Sequence, residues 1–273
     1  MLDKAIDDYI VYLTVEKGLS RNTLEAYSND VRKLAQYLND EAVTDWKDVD
    51  QYVVRGYLAS MQQENVTNTT RARNVAAMKS FFRFLYVEKL TDVNLAELLD
   101  GPRKEKVLPK YLTMEQASAL LQAVSGPNQV RDYAILMIFL NCGIRRSELV
   151  GLNITDIYED RLRVVGKGNK ERFVYFGTPC RKAIDAYLAQ RNKKVLTDNR
   201  ALFGSRNGNR ISVTAVHRLV EKALKQAGLD ATQFSAHKLR HTAATMMLSG
   251  GVDVKTVQEV LGHENLNTTQ IYT

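Results

Sequence analysis

The stretch that decides the fold reads RLRVVGKGNKERFVYFG, residues 161–177. Apolar and polar residues alternate on both sides of a glycine-bounded GKG turn, which predicts two short antiparallel strands with Lys167 in their tip. Almost everything around it has the three-and-four spacing of helices. "LTMEQASALLQAV" opens a helix behind Thr113, with Gln116 at the spacing of a capping box. Helical patterns fill 114–124, 130–142, 180–192, 213–227, 237–249 and 253–261, the last ended by Gly262. The second part of the chain is therefore an α+β domain with one small sheet.

Outward from there, the first hundred residues read as helices throughout. "LSRNTLEAYSNDVRKLAQYL" puts Leu24, Tyr27, Val31, Leu34 and Leu38 on one face behind Ser20 as the cap. "TTRARNVAAMKSFFRFLYVE" does the same with Val75, Met78, Phe82 and Leu85. Its other faces carry Arg71, Arg73, Lys79 and Arg83, beside Thr and Asn side chains suited to phosphate oxygens. Between the two parts lies "GPRKEKVLPK" (101–110), which has the proline, glycine and charge of a linker. The expected domains are 1–100 and 111–273, and the expected class is mainly α with a small β-sheet.

Composition narrows the function. The net charge is +7. Residues 1–100 hold 12 Lys and Arg against 16 Asp and Glu, and the remainder holds 26 against 15, so the positive charge is concentrated in the second part. Such a balance fits a polyanionic partner as well as a merely solvated surface. The longest apolar run, "AILMIFL" (134–140), is too short to span a bilayer, and the N-terminus lacks a signal-peptide pattern. Cys142 and Cys180 make neither a disulfide framework nor a metal spacing, which points to a reducing cytoplasm. No GxxxxGK[ST] loop is present.

Some polar residues remain that local structure does not require. "GIRRSELVGL" sets Arg145 and Arg146 behind the stop at Gly143. "HKLRH" sets His237 and Arg240 three apart on one helix face. His263 follows a helix end, and Tyr272 comes nine residues later. Singly, each has an ordinary structural reading: a soluble turn for Lys167, packing for Tyr272, an ion pair to Glu148 for the arginines. Together they meet the needs of phosphodiester transfer without metal. Arginine forks neutralise non-bridging oxygens, tyrosine supplies an oxygen nucleophile, and histidine and lysine move protons.

At these residues the chain resembles the tyrosine recombinases of the Xer and phage-integrase family, over nearly its whole length. "LSRNTLEAYSNDV" and "SFFRFL" resemble the N-terminal SAM-like core-binding domain. "GIRRSELVGL", "GKGNKER", "HKLRHTAAT" and "LGHENLNTTQIYT" resemble the catalytic blocks, in order. The resemblance implies that Arg145 and Arg240 clamp the scissile phosphate and that Lys167 is the general acid. His237 would transfer protons, His263 would hydrogen-bond the phosphate, and Tyr272 would form a 3′-phosphotyrosyl link. Glu148 would support the site. Arg71, Arg73, Lys79 and Arg83 are expected DNA-backbone contacts, and Lys170 and Arg172, like Arg146 and His241, are read as backbone contacts or local structure.

The same resemblance implies duplex DNA as partner and no cofactor or metal. It further implies a tetramer on paired sites acting through a Holliday junction, a monomer without DNA, and a second recombinase or an activator protein as further partner. The setting would be the cytoplasm, at the nucleoid. Its biological task would be chromosome dimer resolution or movement of a mobile element. Relatives continue for another helix beyond the tyrosine, so truncation at Thr273 is expected. The alternatives are a type IB topoisomerase, which relaxes supercoils with little site preference, and a non-catalytic DNA-binding regulator.

Overall fold

In this computed structural model, residues 2–101, 110–191 and 197–262 are described, Lys167 through its backbone only. The linker interior (102–109), His263 and Tyr272 lie outside the described residues. The chain divides into two compact units, Met1–Lys106 and Val107–Thr273.

Among the described residues the first unit holds four α-helices: α1 (Leu2–Val15), α2 (Arg21–Asp40), α3 (Gln51–Gln63) and α4 (Asn68–Val87). Asp50 starts α3 by accepting from the backbone N–H groups of Tyr52 and Val53, and Thr67 starts α4 by accepting from Thr70. These bonds satisfy donors that a helix start otherwise leaves unpaired. Ser20 occupies the cap position of α2 but makes no cap bond. Its hydroxyl meets that of Thr23 instead, at 2.9 Å.

Val75, Met78, Phe82 and Leu85 are buried on α4 as their spacing predicts, and so are Ala77, Phe81 and Phe84. The buried face is wider than the stripe because aromatic rings close over it. Tyr9 stands edge-on to Phe81 at 5.0 Å, and Trp46 does so at 4.7 Å while its indole N–H donates to Leu2 O at 3.1 Å. Buried rings of this kind contribute on the order of 2–3 kcal/mol each through area removed from water.

The second unit surrounds α6 (Gln129–Cys142), whose Ala134–Leu140 run is wholly buried. A helix apolar on every side belongs in a core. It packs against α8 (Thr178–Arg191) and α10 (Ala236–Ser249). The remaining α-helices among the described residues are α5 (Met114–Gln122), α7 (Arg146–Gly151), α9 (Val213–Gln226) and α11 (Val254–Leu261). The capping box predicted for α5 is present, with both the Thr113 and the Gln116 bonds formed. Cys142 and Cys180 are free and buried; a hydrogen bond with Cys180, then burial, pushes the Cys142 thiol well above its ordinary pKa.

β1 (Arg161–Val165) and β2 (Glu171–Tyr175) form the antiparallel hairpin, in register from Arg161 opposite Tyr175 to Val165 opposite Glu171. Leu162, Val164 and Val174 point into the core. A single turn at Lys167–Asn169 makes the tip, with Gly168 and Asn169 both at positive φ. The architecture among the described residues is mainly α with one two-stranded sheet. Among the described residues no helix is long and apolar enough to cross a membrane.

Candidate active site

The site is built at the end of α11. Gly262 ends this helix in the left-handed conformation, φ 64°. The last carbonyls of a helix have no partner within it and carry the negative end of its dipole. Here three consecutive carbonyls each receive an arginine. Arg172 Nε donates to Val260 O at 2.8 Å, Arg240 Nη2 to Leu261 O at 2.5 Å, and Arg145 Nη2 to Gly262 O at 3.0 Å.

Each arginine arrives from a different element. Arg240 comes from α10, is only 3 % exposed, and also donates to Gly143 O at 2.8 Å. It thereby joins the end of α6 to the end of α11. Gly143 sits at φ 58°, and a Cβ there would stand 2.8 Å from the Leu261 side chain, so both backbone and space require glycine. Arg145 stands directly before α7, and its side chain is 40 % exposed. Arg172 comes from β2 and its side chain is 15 % exposed.

Glu148 on α7 ties two of these together. Its Oε1 accepts from Arg145 Nη1 at 2.8 Å and from Arg172 Nη1 at 2.9 Å. Its Oε2 accepts from the Arg145 backbone N–H at 2.7 Å and from Arg172 Nη2 at 2.9 Å. Burial works against the carboxylate, yet the bonds from Arg172 and then from Arg145 outweigh it and hold its pKa below the ordinary value. A charged Glu148 with a side chain only 3 % exposed is tolerable because all four lone-pair sites are used.

His237 lies one turn before Arg240 on α10. Its pKa is lowered by partial burial, then by the charges of Arg240, Lys238 and Arg145. The ring is exposed, so solvent moderates these effects, but the neutral imidazole is favoured. Its Nε2 lies 3.1 Å from His241 Nε2. One ring must donate and the other accept, so the two cannot both be cations while that bond stands.

The structure thus brings together Arg145, Arg240, Glu148 and the hairpin that carries Lys167, with His237 beside Arg240. The side chain of Lys167, and all of His263 and Tyr272, fall outside the described residues. Lys170 is exposed just before β2. Arg172, read above as a backbone contact or local structure, is turned inward onto Glu148 and Val260 O. The alternation of β2 carries this signal, since Arg172 shares the inward parity of buried Val174.

In the first unit, Lys79 and Arg83 are exposed on α4. Arg71 donates to Gln62 and Asn68. Arg73 forks onto the buried Asp30 at 2.8 and 2.9 Å, so its guanidinium is engaged in neutralising a buried carboxylate.

Comparison with known proteins carries the assignment. A family model described as "Phage integrase family" matches residues 110–273, and one described as "Phage integrase, N-terminal SAM-like domain" matches residues 6–89. The chain belongs to the phage integrase family. Tyrosine recombinase XerC of Caldanaerobacter subterraneus subsp. tengcongensis is 42 % identical, across 98 % of this chain and 82 % of that protein. Tyrosine recombinase XerC of Thermodesulfovibrio yellowstonii is 38 % identical, across 98 % and 90 %. Among solved structures, XerA recombinase is 29 % identical over 100 % of this chain and 94 % of that one, with a TM-score of 0.57. A lambda integrase dimer bound to a COC′ core site has a TM-score of 0.78 at 20 % identity, covering 100 % and 77 %, which speaks for the fold alone.

Proposed function

We propose that this site-specific tyrosine recombinase cuts and rejoins duplex DNA through Tyr272, at a phosphate held beside the end of α11. The phenolic oxygen attacks phosphorus as its proton passes to His237. The bond from phosphorus to the 5′-oxygen breaks, and that oxygen takes a proton from Lys167 and leaves as a hydroxyl. A 3′-phosphotyrosyl link remains, and a 5′-hydroxyl from a second strand reverses the chemistry. The phosphodiester energy is kept in the covalent link, so no ATP is consumed. Arg145 and Arg240 neutralise the non-bridging oxygens, His263 bonds one of them, and Glu148 orients Arg145.

The observation that supports this most is the convergence of Arg145 and Arg240 on Gly262 O and Leu261 O, immediately before His263. A phosphate placed there meets planar donors already fixed by the protein, which removes much of the reorganisation that water would need. Strand exchange on paired sites would pass through a Holliday junction within a tetramer, with a second recombinase or an activator as further partner, in the cytoplasm at the nucleoid. Lys79, Arg83 and Lys170 would contact the DNA backbone, as would Arg71 at the start of α4.

A nicked suicide substrate tests the proposal. Wild-type protein should form an adduct that survives denaturant, and Tyr272→Phe should bind the same DNA without forming one. An undiminished adduct in that variant would remove Tyr272 from the mechanism.

A further inference from the structure

Arg172 is assigned no part in the reaction above, yet it is bonded to the Glu148 that holds Arg145 and to the end of α11. Its Nη1 and Nη2 lie on the two oxygens of Glu148, the same oxygens that hold the backbone N–H and Nη1 of Arg145. Its Nε lies on Val260 O, three residues before His263. Its own strand continues from the turn that carries Lys167.

Two glycines show how closely the surroundings fit this one guanidinium. A Cβ at Gly262 would stand 3.2 Å from its Cζ, Nε and Nη1. A Cβ at Gly166, next to Lys167, would stand 3.6 Å from its Nη1 and 3.6 Å from Glu148 Oε1. The first contact is tight and the second is ordinary packing. Backbone on both sides therefore lies against the Arg172–Glu148 pair, one side leading to Lys167 and the other to His263.

We infer that Arg172 is a positioning residue for strand cleavage. It fixes the Arg145 guanidinium, the base of the Lys167 turn and the end of α11 in one frame. The inference deepens the proposed function and rests on it. Two other readings compete. Arg172 could be a phosphate contact, as its neighbours in the hairpin suggest, or a buried ion pair that serves stability alone. A phosphate contact acts on affinity and its salt dependence; a stabilising pair acts on unfolding. A positioning residue acts on the rate of the bound complex, because a small misplacement of a donor costs most in the transition state.

Lysine is the informative replacement. It keeps one positive charge opposite Glu148 but cannot span two carboxylate oxygens and a carbonyl at once. In Arg172→Lys, adduct formation on a nicked substrate at saturating DNA should slow by about tenfold or more. The dissociation constant should stay within about twofold, and its salt slope should not change. Because both residues act through one network, Arg172→Lys combined with Glu148→Gln should be no slower than the worse single variant. Arg172→Ala should be slower than Arg172→Lys; if the alanine variant does not fold, the lysine variant decides alone.

Several results would overturn the inference. One is a rate for Arg172→Lys within about twofold of wild type at saturating DNA, whatever happens to the melting temperature. A second is weaker binding with a salt slope shallower by about 0.9 and an unchanged saturated rate, which marks a phosphate contact. Multiplying losses in the double variant are a third. The underlying reading fails separately. If wild-type protein forms no adduct, or Tyr272→Phe forms one, the proposed function is wrong; a normal Tyr272-dependent adduct with full-rate Arg172→Lys rejects the inference alone.

Discussion

Two basic regions of this chain use the same side chains to opposite ends. On α4, Lys79 and Arg83 stand four residues apart in solvent. At the end of α11, Arg145, Arg172 and Arg240 are bonded to three successive carbonyls, and two of them share one buried carboxylate. A solvated cation can neutralise a phosphate, but its contribution is screened by salt and requires ordering of a long side chain. A guanidinium already bonded to the protein is held still, so it meets a developing charge with little reorganisation. On the proposed function, the difference between attracting DNA and cleaving it lies in what holds the arginine.

The larger effect that would sharpen this contrast is on pH. His237 feels the arginine cluster: burial, then Arg240, Lys238 and Arg145, lower its pKa. Positive neighbours disfavour protonation, so the neutral base survives to lower pH than a free imidazole would. The acid limb of cleavage should lie below pH 6.5, the ordinary imidazole value. Beneath it the rate should fall by about tenfold per pH unit. Single-turnover cleavage on the nicked substrate between pH 5 and 8 measures this. A limb at or above the ordinary value would break the claim that the cluster's field reaches the base. Replacing Lys79 should leave the limb where it is.

The smaller effect belongs to α4. Lys79→Ala and Arg83→Ala should each weaken DNA binding modestly and flatten its dependence on salt by about 0.9 in log–log slope. Binding isotherms from low to physiological salt would show it. An unchanged slope would mean that this face does not meet phosphate.

Much of this was legible in the residues because local rules and the fold agree. The capping box at Thr113 and Gln116, the stops at Gly143 and Gly262 and the alternation of the hairpin each depend on a few neighbouring residues, and each is found in place. The width of the α4 face was not legible. Phe81 and Phe84 are buried by Tyr9 and Trp46, which lie far away in sequence. The partner of a charged residue was harder still. Arg73 and Arg172 look like surface cations by composition, but Asp30 and Glu148 draw them onto buried carboxylates. For Arg172 the strand parity pointed inward; for Arg73 no periodic signal named Asp30.

The most direct test of the contrast sets the two regions side by side in one assay. At saturating DNA, the rate of covalent adduct formation should fall by about 10²–10³ in Arg240→Ala, the usual consequence of losing one well-placed charge-stabilising donor. In the Lys79→Ala, Arg83→Ala double variant it should stay within about twofold of wild type, because saturation removes a defect that lies only in binding. Comparable losses of saturated rate in both proteins, or a near wild-type rate in Arg240→Ala, would contradict the account.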